Sequence, residues 1–254
     1  MSITRLALRI AAPLPRIEDY ERYMFIGPHP DDIEIGAGAT AAKLAAAGKK
    51  VCFLICIDGR FGSDTIAPEE LIAMRQLEAR ASAKALGVDD VRYLPFCDGG
   101  FYDTRDLVSS IAKAVGDFKP DVIFAPDCCV TSECHPDHLN VGRAASEIAY
   151  LAPYSLLMAE HGAQAAPVKA IAYYMTAKPN RYVKTSAALL KKQLASIFDC
   201  HRSQFPSGCP EAKSIAMYLR LRSADFGLRR LCGHAEGFRV LGVTQMHCLP
   251  EAGK

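Results

Sequence analysis

Short apolar runs alternate along this chain with longer stretches whose apolar residues recur at helical spacing. Tyr23-Met24-Phe25-Ile26 and Val51-Cys52-Phe53-Leu54-Ile55-Cys56-Ile57 are unbroken apolar runs. That pattern fits strands buried on both faces of a parallel sheet. Further strands are predicted over 91–94, 122–125, 170–175 and 240–244, with helices between them over 35–47, 69–86, 107–118, 139–151 and 183–200. Gly48 stops the first helix; Pro68 opens the second and Gly87 closes it, the usual asymmetry of helix ends. The tail over 201–254 mixes short helices with the strand at 240–244. Ile3, Leu6, Leu8 and Ile10 alternate with other residues before Pro13 and Pro15, which predicts an edge strand or arm. Strands alternating with helices predict an α/β fold: a Rossmann-like, doubly wound, mostly parallel sheet with helices on both faces. Without an internal repeat or a linker, residues 1–254 are expected to form a single domain, with 1–22 as an N-terminal arm.

Composition narrows the function classes. The 254 residues are 50% hydrophobic, enough for one sizeable core. Thirty basic against 28 acidic residues leave a net charge of +2, so the chain lacks the basic footprint of a nucleic-acid binder. No apolar run approaches the length of a membrane span. Arg5 and Arg9 interrupt the apolar start, which does not read as a secretory signal, and a cytoplasmic location is expected. The ten cysteines show no paired Cys-x-x-Cys units, so reduced thiols are expected rather than disulfides or a structural zinc site at Cys128, Cys129 and Cys134.

The chemistry concentrates in two clusters. His29-Pro30-Asp31-Asp32-Ile33-Glu34 follows the first strand, and His135-Pro136-Asp137-His138 follows the fourth. Each falls at the carboxyl end of a predicted parallel strand, where open α/β sheets bind ligands. Alone, an Asp-Asp pair at a helix start is an ordinary cap and dipole complement, and a His-Pro is an ordinary turn. Two such clusters facing one crevice read instead as a metal site. A His, Asp and His set with an open position suits hydrolytic zinc. A second Asp beside it is free to act as a general base. Gly36-Ala37-Gly38 lacks the third glycine of a dinucleotide-binding turn, since Ala41 stands in its place.

His29-Pro30-Asp31-Asp32-Ile33-Glu34, Asp58-Gly59, Arg75-x-x-Glu78, Leu86-Gly87, Asp98 and His135-Pro136-Asp137-His138 together resemble the LmbE/PIG-L family of zinc-dependent N-acetylglucosaminyl deacetylases. The likeness covers about residues 23–150. It extends more loosely to Lys191 or Lys192, His201-Arg202-Ser203-Gln204 and Glu236-Gly237-Phe238. It implies zinc, or another divalent ion, on His29, Asp32 and His138. It implies Asp31 as general base, His135 as stabiliser of the tetrahedral intermediate or proton donor to the amine, and Asp137 as the residue that orients His135. Arg75 and Asp98 would line a sugar pocket, and Glu34 would be packed or capping. The expected substrate is a small amino sugar or its conjugate, and the expected assembly is a homo-oligomer. A non-sugar N-acyl substrate and a non-catalytic metal-binding protein are the alternatives. Glu133 departs from the pattern: some members carry an oxyanion-assisting Tyr there. A carboxylate at that position is expected to contact an amine or sugar hydroxyls, or to face solvent.

Overall fold

The computed structural model describes residues 3, 7, 10–247 and 249. The expected arm strand lies largely outside them; Ile10 and Ala11 are helical. Seven strands form one sheet among the described residues, in the order β3-β2-β1-β4-β5-β7-β6. They are β1 Arg22–Gly27, β2 Lys50–Ile57, β3 Asp90–Phe96, β4 Val122–Pro126, β5 Ala170–Tyr174, β6 Arg181–Lys184 and β7 Ala235–Gly242. Strands β3, β2, β1, β4 and β5 are parallel, and β7 runs antiparallel to both its neighbours. The helices are α1 Asp32–Ala46, α2 Pro68–Leu86, α3 Thr104–Phe118, α4 Pro136–Leu151, α5 Ser155–Glu160, α6 Ala187–Phe198 and α7 Pro210–Arg229.

The period-2 alternation of each central strand divides the core in two. Met24, Ile26, Cys52 and Leu54 face Leu107 and Ile111 of α3 and Val141 and Ile148 of α4. Tyr23, Phe25, Phe53 and Ile55 face Ala41 and Leu44 of α1 and Ala83 and Leu86 of α2. Helices therefore cover both faces, which explains the unbroken apolar runs. The direction of winding reverses between β1 and β4. That switch point opens a crevice at their carboxyl ends, where both histidine clusters emerge.

Several elements differ from the sequence expectation: β7 starts at Ala235, five residues before the strand predicted over 240–244, and Ser155–Glu160 is helical in a stretch without a predicted element. The single helix predicted over 183–200 is strand β6 followed by α6, which begins where the Ser186 hydroxyl accepts from Leu189 N–H. Segment 210–229 is one 20-residue helix, not several short ones. Its weak amphipathic pattern hid it: Met217, Tyr218, Leu221 and Leu228 stay exposed.

Helix α1 starts three residues earlier than predicted because it is two pieces joined at Ala37, whose backbone is not helical (φ −152°). A Cβ on Gly36 would fall 2.2 Å from the Tyr174 ring, so only glycine allows this close packing. The Tyr174 hydroxyl in turn donates to Ile26 O at 2.8 Å, seating the first turn of α1 over β1. Side chains pair backbone groups released at the break, as burial demands. Glu236 accepts from Ala39 N–H (3.2 Å) and Thr40 N–H (2.7 Å), and Gln193 Nε2 donates to Glu34 O (2.8 Å) and to Glu236 (3.0 Å).

Burial pushes the Glu236 carboxyl up to about 7 from an ordinary 4.5, against the hydrogen bonds it accepts. The folded protein thus keeps a proton that the unfolded chain releases between those values. Stability attributable to this group is present at acid pH and declines as pH rises from 4.5 to about 7. Glu236→Gln should flatten that decline in urea midpoints measured across the window. Equal slopes for both proteins would contradict the account.

Candidate metal centre

Four loops at the carboxyl ends of β1 to β4 build the site. The β1–α1 turn carries His29, Asp31 and Asp32. Asp31 caps α1 with a left-handed backbone (φ 116°), a strained conformation for a residue that is not glycine. The β4–α4 loop carries Glu133 and His135, and His138 lies in the first turn of α4. The loops after β2 and β3 bring Asp58 and Asp98.

Both clusters meet at one atom. Asp32 Oδ2 lies 3.3 Å from His29 Nδ1 and 3.4 Å from His138 Nε2, and it accepts from His29 N–H at 2.9 Å. The rings of His29, His135 and His138 pack with centroids 4.9–5.5 Å apart. Each imidazole next to Asp32 turns its other nitrogen to a carboxylate. His29 Nε2 is 3.1 Å from Asp98 Oδ1 and 3.2 Å from Asp137 Oδ2. His138 Nδ1 is 3.0 Å from Glu133 Oε2.

Among the described residues two groups of side chains are spaced to hold an ion: His29, Asp32 and His138, or His29, Asp98, His135 and Asp137. The first fits better. Asp137 is fully buried and already accepts from Gly99 N–H (2.8 Å), Gly100 N–H (2.9 Å) and the Tyr102 hydroxyl (2.8 Å). Consecutive positive φ angles at Gly99 and Gly100 (85° and 81°) aim both N–H groups at that carboxylate, an anion nest. In the first group every outer nitrogen has its carboxylate and every inner donor faces the shared centre, as in metal-ligating histidines.

Charge tells the same story. Burial opposes ionisation of Asp32, but His138 and His29 outweigh it and hold its carboxyl well below the usual range. Burial likewise opposes a charged His29, yet Asp137, Asp32 and Asp98 hold its imidazole well above the usual value. Burial raises Asp31 to about 6, with Arg75 pulling it down. Burial lowers His135, and neighbouring His29 and His138 lower it further. His135 is also the most open of the three rings, its side chain 42% exposed.

The structure revises several expected contacts. Asp137 Oδ2 is 3.8 Å from His135 Nδ1, beyond hydrogen bonding. The Asp137 backbone N–H donates to that nitrogen instead (3.3 Å), while its carboxylate serves His29 and the 99–102 loop. Arg75 is buried, with Nη1 on Gly59 O (3.1 Å), and Nη2 on Pro30 O (2.8 Å) and 3.5 Å from Asp31 Oδ2. Asp98 is shared between His29 and Phe61 N–H (3.2 Å). Both therefore shape the turn beneath the centre. Glu133 bridges His138 Nδ1 (3.0 Å) and His135 N–H (2.9 Å) within the site. Glu34 is packed as expected, bonded to Ser82 Oγ (2.6 Å) and His201 Nε2 (3.3 Å). Glu78, one turn beyond Arg75, accepts from Ser203 N–H at 2.7 Å, which ties α2 to the 201–204 segment.

One supporting pair gave no sequence signal. Asp127, at the end of β4, takes a buried two-pronged contact from Arg239 of β7 (2.9 and 2.5 Å) and anchors the loop carrying Glu133 and His135. The partners are 112 residues apart.

The fold and site define a class: a doubly wound α/β protein with a His-Asp-His centre at its switch point. The chain belongs to the PIG-L (LmbE-like) family; the family model described as GlcNAc-PI de-N-acetylase matches residues 24–149. Diacetylchitobiose deacetylase of Thermococcus kodakarensis is 31% identical over 98% of this chain and 93% of its own length. The N,N'-diacetylchitobiose deacetylase structure from Pyrococcus horikoshii superposes with a TM-score of 0.85, at 28% identity over 98% of this chain and 97% of that one. The fold also matches GalB, the 4-carboxy-2-hydroxymuconate hydratase of Pseudomonas putida, at 15% identity over 87% of this chain and 96% of that one, with a TM-score of 0.68.

Asp137→Ala should strand two loop N–H groups and one phenol. We expect the free energy of unfolding to fall by about 3 kcal/mol or more in urea titration. A loss under about 1 kcal/mol would mean that Asp137 does not hold the 99–102 loop.

Proposed function

We propose that the protein is a zinc-dependent hydrolase that removes acetyl from an N-acetylglucosamine-type sugar or its conjugate. The observation that carries this reading is the convergence of His29 Nδ1 and His138 Nε2 on Asp32 Oδ2, with Asp31 beside it. The deacetylase relatives support the reaction class. The mixed imidazole and carboxylate donor set suits zinc, with another divalent ion as the alternative.

His29, Asp32 and His138 would hold the ion, which when bound supplies a Lewis acid for the acetamide carbonyl and lowers the pKa of an adjacent water. Asp31 takes the proton of that water. Its burial raises its basicity towards the working range, and Arg75 fixes its position from below. His135 uses Nδ1 as acceptor for Asp137 N–H, so its neutral ring carries the proton on Nε2. That N–H donates to the charge developing on the carbonyl oxygen, and the proton that Asp31 took from the water goes on to the leaving amine. Asp137 acts through His29 and the 99–102 loop. Arg75 and Asp98 act by positioning Asp31 and His29.

We further infer a cytoplasmic, single-domain enzyme over residues 1–254, with 1–22 as an arm, that forms homo-oligomers. The free cysteines support a reducing location, and exposed Met217, Leu221 and Leu228 on α7 support self-association. No helix among the described residues is long and apolar enough to cross a membrane.

Acetate release should be measured on N-acetylglucosamine, N,N'-diacetylchitobiose and N-acetyl amino acids, with zinc and after chelation. The reading expects zinc-restored release from the sugars. Release from the amino acids alone would move the substrate to another amide class, and zinc binding without any release would leave a metal-holding protein. Asp31→Ala should lose about 10²-fold or more in kcat while binding one zinc; near-normal turnover would remove Asp31 as the base.

A further inference from the structure

Glu133 has no part in the chemistry above, yet both its oxygens are committed at the centre. Oε2 lies 3.0 Å from His138 Nδ1, and Oε1 accepts from His135 N–H at 2.9 Å. We propose that Glu133 is the positioning residue for His138: it holds the ring in the Nδ1–H tautomer and turns Nε2 towards Asp32 for a divalent cation. This rests on the metal site proposed above.

A neutral imidazole has one N–H and one lone pair. A carboxylate at Nδ1 draws the proton there and leaves the lone pair on Nε2, the nitrogen 3.4 Å from Asp32 Oδ2. His29 is treated in the same way from the opposite side. Its outer nitrogen faces Asp98 and Asp137, and its inner one faces Asp32. Without Glu133 the outer nitrogen of His138 would have no protein partner among the contacts described, and Asp32, 3.4 Å from Nε2, would draw the proton to the inner nitrogen.

The position of Glu133 is itself fixed. Its N–H donates to Val130 O (3.1 Å), and Val130 N–H bonds back to Asp127 O (3.4 Å). Asp127 is clamped by Arg239. The loop is thus braced from β7, and the brace delivers a carboxylate to His138. A local turn accounts for the contact with His135 N–H, two residues on. It does not account for the contact with His138, five residues on and already inside α4. A negative charge near the start of α4 also favours the helix, but that effect acts on stability and is indifferent to which ring nitrogen carries the proton.

Zinc affinity of the full chain, measured by competition with a chromophoric chelator, tests the assignment. Glu133→Ala should weaken zinc binding about 10- to 100-fold, the range for lost carboxylate partners of ligand histidines. Glu133→Gln keeps an oxygen that can accept from Nδ1–H and should fall between the two. Long-range ¹H–¹⁵N spectra should show His138 as Nδ1–H in the zinc-loaded wild type and in Glu133→Gln, and shifted towards Nε2–H in metal-free Glu133→Ala at a pH where the ring is neutral. Zinc affinity of Glu133→Ala within twofold of wild type would overturn the proposal, as would loss of thermal stability alone with affinity and tautomer unchanged. Failure of the wild type to bind one zinc would instead remove the metal site itself.

Discussion

Asp32 Oδ2 ties the two halves of the sheet together at the point where the winding reverses. Strand β1 brings His29 to it and strand β4 brings His138. Around these groups lie Asp31, Asp98 and Asp137, three further carboxylates in a crevice that is largely closed to water. So much negative charge is costly to bury unless cations offset it. Arg75 answers Asp31, and the imidazoles answer the rest only when protonated. A divalent ion held on the inner nitrogens would offset the same carboxylates without needing those protons.

Much of the surrounding architecture serves that requirement. The close seat of Gly36 on Tyr174 and the paired break in α1 set the first turn of the helix over β1. The Gly99-Gly100 nest holds the Asp137 carboxylate against His29. The Arg239–Asp127 pair braces the loop that brings Glu133 to His138. The similar fold of a hydratase at 15% identity shows why such details carry the functional argument: the sheet alone does not determine the reaction.

The central sheet was legible because unbroken apolar runs such as 51–57 have few other meanings in a chain of this length. The two clusters were legible because each is local, four to six residues read in a row. What escaped was non-local or weakly patterned. Helix α7 leaves leucines in solvent, and β6 is only four residues long. The division of labour among the carboxylates depends on distances between loops: Asp137 looked like the partner of its neighbour His135, but its side chain crosses to His29, 108 residues away. Glu133 looked out of place because its partner, five residues on, becomes its neighbour only when the loop folds back onto α4.

The ion is expected on the inner nitrogens of His29 and His138. Anomalous diffraction at the zinc edge from crystals of the loaded protein tests it directly. One strong peak is expected, bonded to His29 Nδ1, Asp32 and His138 Nε2, with Asp98, Asp137 and Glu133 outside the coordination sphere. A peak bonded to His29 Nε2, Asp98, His135 and Asp137 would contradict it.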